Sequence, residues 1–156
     1  MKETMHFEIV IQAPVQKVWD AMLGDATYRE WTESFHAGSY YKGDWSEGSK
    51  MLFLGPDETT KKEGGMVSRI KENRKYEFIS IEHLGVVMDG VEDTTSEQVM
   101  TWLPAFENYT FTDKGGDTHL AIDMEMPATA EAKMMKEMFE GMWPKALLKL
   151  KEICEK

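Results

Sequence analysis

Two short runs place ionisable side chains at positions where apolar ones belong. In YEFISIEHLG (residues 76–85), His83 has the parity of Ile79 and Ile81, so a strand would present its imidazole on their face. In FENYTFTD (residues 106–113), Glu107 shares parity with Tyr109 and Phe111. If both faces look into one enclosed space, an imidazole, a carboxylate and a phenol converge there. Such a group can move protons as a general acid and base, or orient a bound molecule. A bulge in either strand would slip the parity and turn the side chain to solvent.

Other chemistries lack their residues. The chain has no phosphate-binding Gly-rich loop, no His-Glu-x-x-His and no Gly-x-Ser-x-Gly. The stretch DGVEDTTSE holds Asp89, Glu92, Asp93 and Glu97, but without the alternating ligands and central glycine of a calcium loop. It reads as a solvated loop flanking the mouth of the site. No metal and no cofactor is expected. Cys154, the single cysteine, can form no internal disulfide and has no zinc-type partner or neighbouring base. The sequon Asn108-Tyr109-Thr110 has meaning only in a secreted chain. His6 and His119 read as exposed, the latter opposite the face of Leu120, Ile122 and Met124.

The elements that must position the candidate groups follow from pattern. With 156 residues, 42% hydrophobic and 29% charged, the chain is expected to form one domain with one core. Eighteen Lys and Arg against 28 Asp and Glu give a net charge of -10, which repels nucleic acid and anionic membranes. The start, MKETMHFEIVIQ, has no long apolar run, so neither a signal peptide nor a membrane span is expected. A cytoplasmic protein fits these features.

Phe7, Ile9 and Ile11 alternate as a strand, and APVQKVWDAMLG then carries Val15, Val18, Trp19 and Met22 at helical spacing. Pro14 suits the first turn of that helix and Gly24 its end. TYREW reads as a second helix, with Thr27 and Glu30 at capping-box spacing. Beyond Trp31, glycines punctuate short β-rich runs: GSYYKG, SKMLFLG, GMVSRIKEN, KYEFISIEHLG, SEQVMTWL, FENYTFTD and DTHLAIDMEM, with KGGD as a hairpin turn between the last two. Met66, Met100, Met124 and Met126 fall in these predicted strands.

EAKMMKEMFEGMWPKALLKLKEI (residues 131–153) is a long helix whose apolar stripe is expected to comprise Met135, Met138, Phe139, Met142, Ala146, Leu150 and Ile153. Pro144 lies inside it at a cost of about 3 kcal/mol, comparable to burying one or two methionines. Such a proline is tolerated where a bend is useful or a new helical segment starts, and a bend, eased by Gly141, would fit the helix to a curved sheet. The order of strand, two helices, antiparallel strands and long helix defines an α+β domain in which that helix covers the sheet.

At this point the chain resembles a known family. IQAPVQKVWDAML, YREW, GSYYKGDW, GGMVSRIKEN, ISIEHLG, ENYTFTDKGGDTHL and GMWPKALLKLKEI follow, in order, the pattern of the SRPBCC (START-like) superfamily, in the branch named after the activator of heat-shock protein 90 ATPase. The resemblance runs over roughly residues 4 to 155. It departs at Met142, which stands between Gly141 and Trp143 where the family commonly has Gly directly before Trp-Pro.

The resemblance implies a helix-grip fold, a curved antiparallel sheet wrapped around the C-terminal helix with a deep apolar cavity between them. Members of the superfamily bind lipids, sterols, hormones or polyketides, and a minority are enzymes. On that reading the cavity-facing residues are Trp31, Phe35, His36, Met66, His83, Glu107, Tyr109, Met135, Met138, Phe139 and Met142, with His36 at the mouth. Methionines serve either to fill an irregular core or to adapt a cavity to ligands of varied shape. Three functions follow, in order: a carrier or sensor of a small lipophilic molecule, a cyclase or hydratase-type enzyme, and a chaperone-interaction module of the stress response, as the branch name suggests.

Overall fold

The computed structural model describes residues 2–57, 59–101, 103–127 and 129–156. In chain order these form β1 (Lys2–Ile11), α1 (Val15–Leu23), α2 (Asp25–Trp31), a 3-10 turn (Thr32–Ser34), β2 (Tyr40–Gly43), β3 (Lys50–Pro56), β4 (Glu63–Arg74), β5 (Phe78–Met88), β6 (Val91–Asp93), α3 (Glu97–Met100), β7 (Ala105–Asp113), β8 (Thr118–Pro127) and α4 (Ala130–Cys154). Among the described residues the strands build one curved antiparallel sheet in the order β1-β8-β7-β5-β4-β3-β2, with β6 paired to β5. The two short helices and α4 cover its concave face, as the helix-grip architecture requires.

Alternation decides which side chains reach the concave face. Ile11, Ile79, Ile81, Leu120 and Ile122 are fully buried there and meet Val18, Met22, Ala146 and Leu150 from the helices. Among the described residues, the opposite face carries a small apolar cluster of Leu54, Val67 and Val87. Gly65 permits a close approach of β4 to β3, since a Cβ there would lie 1.8 Å from the Phe53 carbonyl oxygen.

Three local expectations need correction. SEQVMTWL is not a strand: Ser96 accepts the Val99 N–H at 3.4 Å and Asp93 accepts the Ser96 N–H at 3.0 Å, so side-chain capping starts the single turn of α3. Met100 is therefore an exposed helical residue, and Trp102 lies outside the described residues. In α2 the cap is Gly24 and Thr27 is already helical, its hydroxyl donating to the Gly24 carbonyl at 3.2 Å, so no capping box forms. Pro14 is the N-cap of α1 rather than a residue of its first turn.

The buried stripe of α4 also differs in phase. Ala132, Trp143, Ala146, Leu147, Leu150 and Cys154 are buried, whereas Met134, Met135 and Met138 are 71%, 47% and 57% exposed. The helix runs unbroken through Pro144, so no new segment starts there. Pro144, Glu140 and Gly141 all lie on the solvent side, where water can satisfy the Glu140 carbonyl that loses its partner. At the far end the Glu155 carboxylate accepts the Gln12 N–H at 2.7 Å, fastening the helix beside the end of β1.

Gly141 serves no close approach, because a Cβ at that position would meet nothing within 4 Å. Gly141→Ala is therefore expected to stabilise the fold by about 0.5–1 kcal/mol through helix propensity alone. Thermal or urea unfolding checks this, and a destabilised variant would mean that the glycine bends the helix after all.

Candidate functional site

The packed half of α4 ends at Trp143. Its indole is 3% exposed, donates to the Met124 sulfur at 2.9 Å, and lies 4.8 Å from the Phe35 ring and 6.0 Å from Trp31. Trp31 donates its own indole N–H to the Met22 carbonyl at 3.1 Å, so both large rings are buried with their polar atoms satisfied. Beyond this aromatic wedge, toward the N-terminus of α4, helix and sheet enclose a cavity of about 1120 Å³, partly open to solvent. Ala132, Met135 and Phe139 form its helical wall, Trp31 and Phe35 its end, and β4, β5, β7 and β8 its floor. Gln98 and Thr101 bring α3 and the turn after it to the wall.

A chain of polar side chains crosses the floor. On β4, Met66, Ser68 and Ile70 share parity; on β5, Ile79, Ile81 and His83; on β7, Ala105, Glu107, Tyr109 and Phe111. Ser68 pairs with His83 in the register and His83 with Ala105, which places an imidazole between a hydroxyl and a carboxylate. The Ser68 Oγ lies 2.7 Å from His83 Nδ1, and His83 Nε2 lies 3.2 Å from Glu107 Oε1. The Tyr109 hydroxyl donates to the other carboxylate oxygen, Oε2. An ionised carboxylate only accepts, so Nε2 carries the proton, and in the neutral ring Nδ1 then accepts from Ser68.

The bulge that threatened this parity exists but falls one residue later. Val67 faces Gly85 and Ser68 faces His83, which leaves Leu84 as the extra residue. His83 and Glu107 thus remain on the apolar face, with side chains only 13% and 14% exposed.

Among the residues expected at the cavity, the structure brings Trp31, Phe35, Met66, His83, Glu107, Tyr109, Met135 and Phe139 to one wall or another. It does not bring His36, Met138 or Met142 there. His36 turns under β3, its Nε2 against the Pro56 carbonyl and its ring over Gly55, in a separate cavity of about 380 Å³. Met138 points to solvent, and Met142 is half-buried away from the cavity. Trp143 and Ser68 were missed. Trp143 fits the stripe through Phe139, Ala146 and Leu150, and Ser68 is the one polar residue at inward parity between Met66 and Ile70.

Among the described residues, no group of three or more His, Cys, Asp and Glu side chains converges as a metal site needs. No described helix is long and apolar enough to cross a membrane. His6 is exposed and His119 half-buried. Both lie away from the core, with His6 Nδ1 2.6 Å from Asp123 and His119 Nε2 3.5 Å from Glu8.

A sheet gripping a long helix around an internal chamber defines the class of helix-grip cavity proteins. The chain belongs to the family described as activator of Hsp90 ATPase homolog 1-like proteins, whose pattern matches residues 12–155. No curated protein matches it in sequence. In fold it is similar to a crystallised protein of Nitrosomonas europaea, at 10% identity and a TM-score of 0.72, covering 97% of this chain and 94% of the other. A protein of Mesorhizobium loti gives 14% identity and a TM-score of 0.70, covering 98% and 97%. CalU16 from Micromonospora echinospora gives 19% and 0.62, covering 96% of this chain and 72% of its own.

Burial raises the Tyr109 phenol well above its ordinary range, helped by the charge of Glu107 and the hydrogen bond to it. Burial, with the Glu107 charge, does the same to Tyr28. A raised folded-state value means that the protonated phenols' contribution is fully present below the unfolded value, near 10. It is lost as pH rises from there toward the folded value. Ultraviolet titration is therefore expected to show Tyr28 and Tyr109 silent until alkaline unfolding. A Tyr109→Phe difference titration that reveals an ordinary phenol at position 109 would contradict the buried hydrogen-bonded chain.

Proposed function

We propose that this chain is a cytoplasmic binding protein for a small lipophilic or aromatic molecule, held between the sheet and α4. The observation that carries this reading is the chamber, about 1120 Å³ with mostly aromatic, thioether and aliphatic walls and one polar chain across its floor. Ligand sites are concave, mostly apolar, and carry a few placed polar groups. A ligand that buries about 300 Å² of apolar surface gains about 7 kcal/mol before the costs of association. Directed contacts with His83, Glu107 or Tyr109 then set orientation and selectivity. A reducing compartment accords with the lone Cys154, whose thiol burial pushes up to about 11.

The second reading is a cyclase or hydratase-type enzyme in the same chamber. It is favoured by the direct contacts from His83 and Tyr109 to Glu107, and it predicts turnover with a bell-shaped pH profile. The third is a chaperone partner, in line with the family's description. The exposed Met134, Met138 and Leu148 on α4 are the surface such a partner would use.

The thirteen methionines supply the test. Methyl NMR with a panel of fatty acids, sterols, flavonoids and polyketide mimics should show saturable shifts at Met66, Met124, Met126 and Met135, which line the chamber. Met138 and Met142, off the chamber, should stay still. Shifts confined to Met134 and Met138 would move the binding to the surface of α4, and a panel without any shift would overturn the carrier reading.

A further inference from the structure

The chamber is lined by carboxylates without a lysine or arginine among the described residues. The carboxylates are Glu107 and Glu125. Glu125 stands where Lys2 approaches it at 3.7 Å, and it accepts the Phe106 N–H at 2.9 Å. Among the described residues, Glu107 has no cation of the Lys or Arg type within pairing distance. Its two partners among the described residues, the Tyr109 hydroxyl and His83 Nε2, take one acceptor site on each oxygen. A carboxylate offers about four such sites, so two are left on a group that faces the cavity. The helical side of the same chamber presents Trp31, Phe35, Phe139 and Trp143, whose ring faces attract cations. The net charge of -10 attracts a cation from a distance as well.

We propose that the preferred ligand is a lipophilic organic cation. Its protonated amine sits against the free acceptor sites of Glu107, and its apolar body packs among Trp31, Phe35, Phe139 and Trp143. Fatty acids and other lipophilic anions are disfavoured, because their carboxylate would enter a low-dielectric space that already holds the Glu107 carboxylate. A neutral alcohol keeps the donor and loses the charge. The proposal rests on the chamber being a ligand site and adds the sign of the ligand.

Three probes with one body separate these ideas: 3-(1-naphthyl)propylamine, the matching alcohol and the matching carboxylate, measured by calorimetry on the whole chain at pH 7. The amine is expected to bind at least about tenfold tighter than the alcohol, and the carboxylate most weakly. Glu107→Gln keeps the size of the side chain and removes its charge, so it should bring amine and alcohol to within about threefold of each other. An alcohol or carboxylate that binds as tightly as the amine overturns the charge inference and leaves the chamber reading intact. No binding by any of the three overturns both. A preference for the amine that survives in a folded Glu107→Gln protein overturns the assignment of Glu107 as its seat. The wild-type comparison decides the sign of the ligand even if the variant does not fold.

Discussion

A single helix cannot fill the concave face of an eight-strand curved sheet, and the rest of this molecule depends on how that shortfall is distributed. The C-terminal half of α4 is packed to full burial at Ala146, Leu147 and Leu150. Trp143 is the wedge at which packing stops. Its ring engages Phe7, Phe35 and Trp31 on three elements, and its N–H is satisfied by Met124. Beyond it the helix offers Ala132, Met135 and Phe139, too little volume to close the gap, and the chamber is the result. Interiors otherwise pack at crystal-like density, so a gap of this size is a built feature rather than loose packing.

The polar chain on the chamber floor is tolerable because its members satisfy one another. A lone buried carboxylate or imidazole costs several kcal/mol, and the hydrogen bonds along Ser68, His83, Glu107 and Tyr109 offset much of that. The chain spans β4, β5 and β7, so it also fixes the register at the bulge, where Leu84 is the extra residue. Two of its groups keep about an eighth of their surface open to the chamber, enough for a ligand to touch them without melting the sheet.

Much of this was legible in the sequence because alternation is a strict signal. The parity of His83 with Ile81, and of Glu107 with Tyr109, put three polar groups on the correct face, and the ordered motifs implied the helix grip. The helix phase was harder to read. Met134, Met135, Met138 and Met142 add apolar weight all round α4, which pulled the apparent stripe away from Trp143 and Leu147. Methionine is the residue least able to signal burial here, since three of those four are largely exposed. His36 misled for another reason, because its seat depends on Gly55 leaving room for the ring, a contact between residues 19 apart. SEQVMTWL carries β-prone residues, but capping by Ser96 and Asp93 outweighs propensity over so short a stretch.

The most direct test is the protonation pattern of the His83 imidazole, read by long-range nitrogen–proton NMR on the unliganded protein. The account predicts a slowly exchanging proton on Nε2, held toward Glu107. A ring with Nε2 unprotonated, or one averaging rapidly between tautomers, would contradict it, because Glu107 would then keep only the Tyr109 hydroxyl as donor and the polar chain would be broken between β5 and β7.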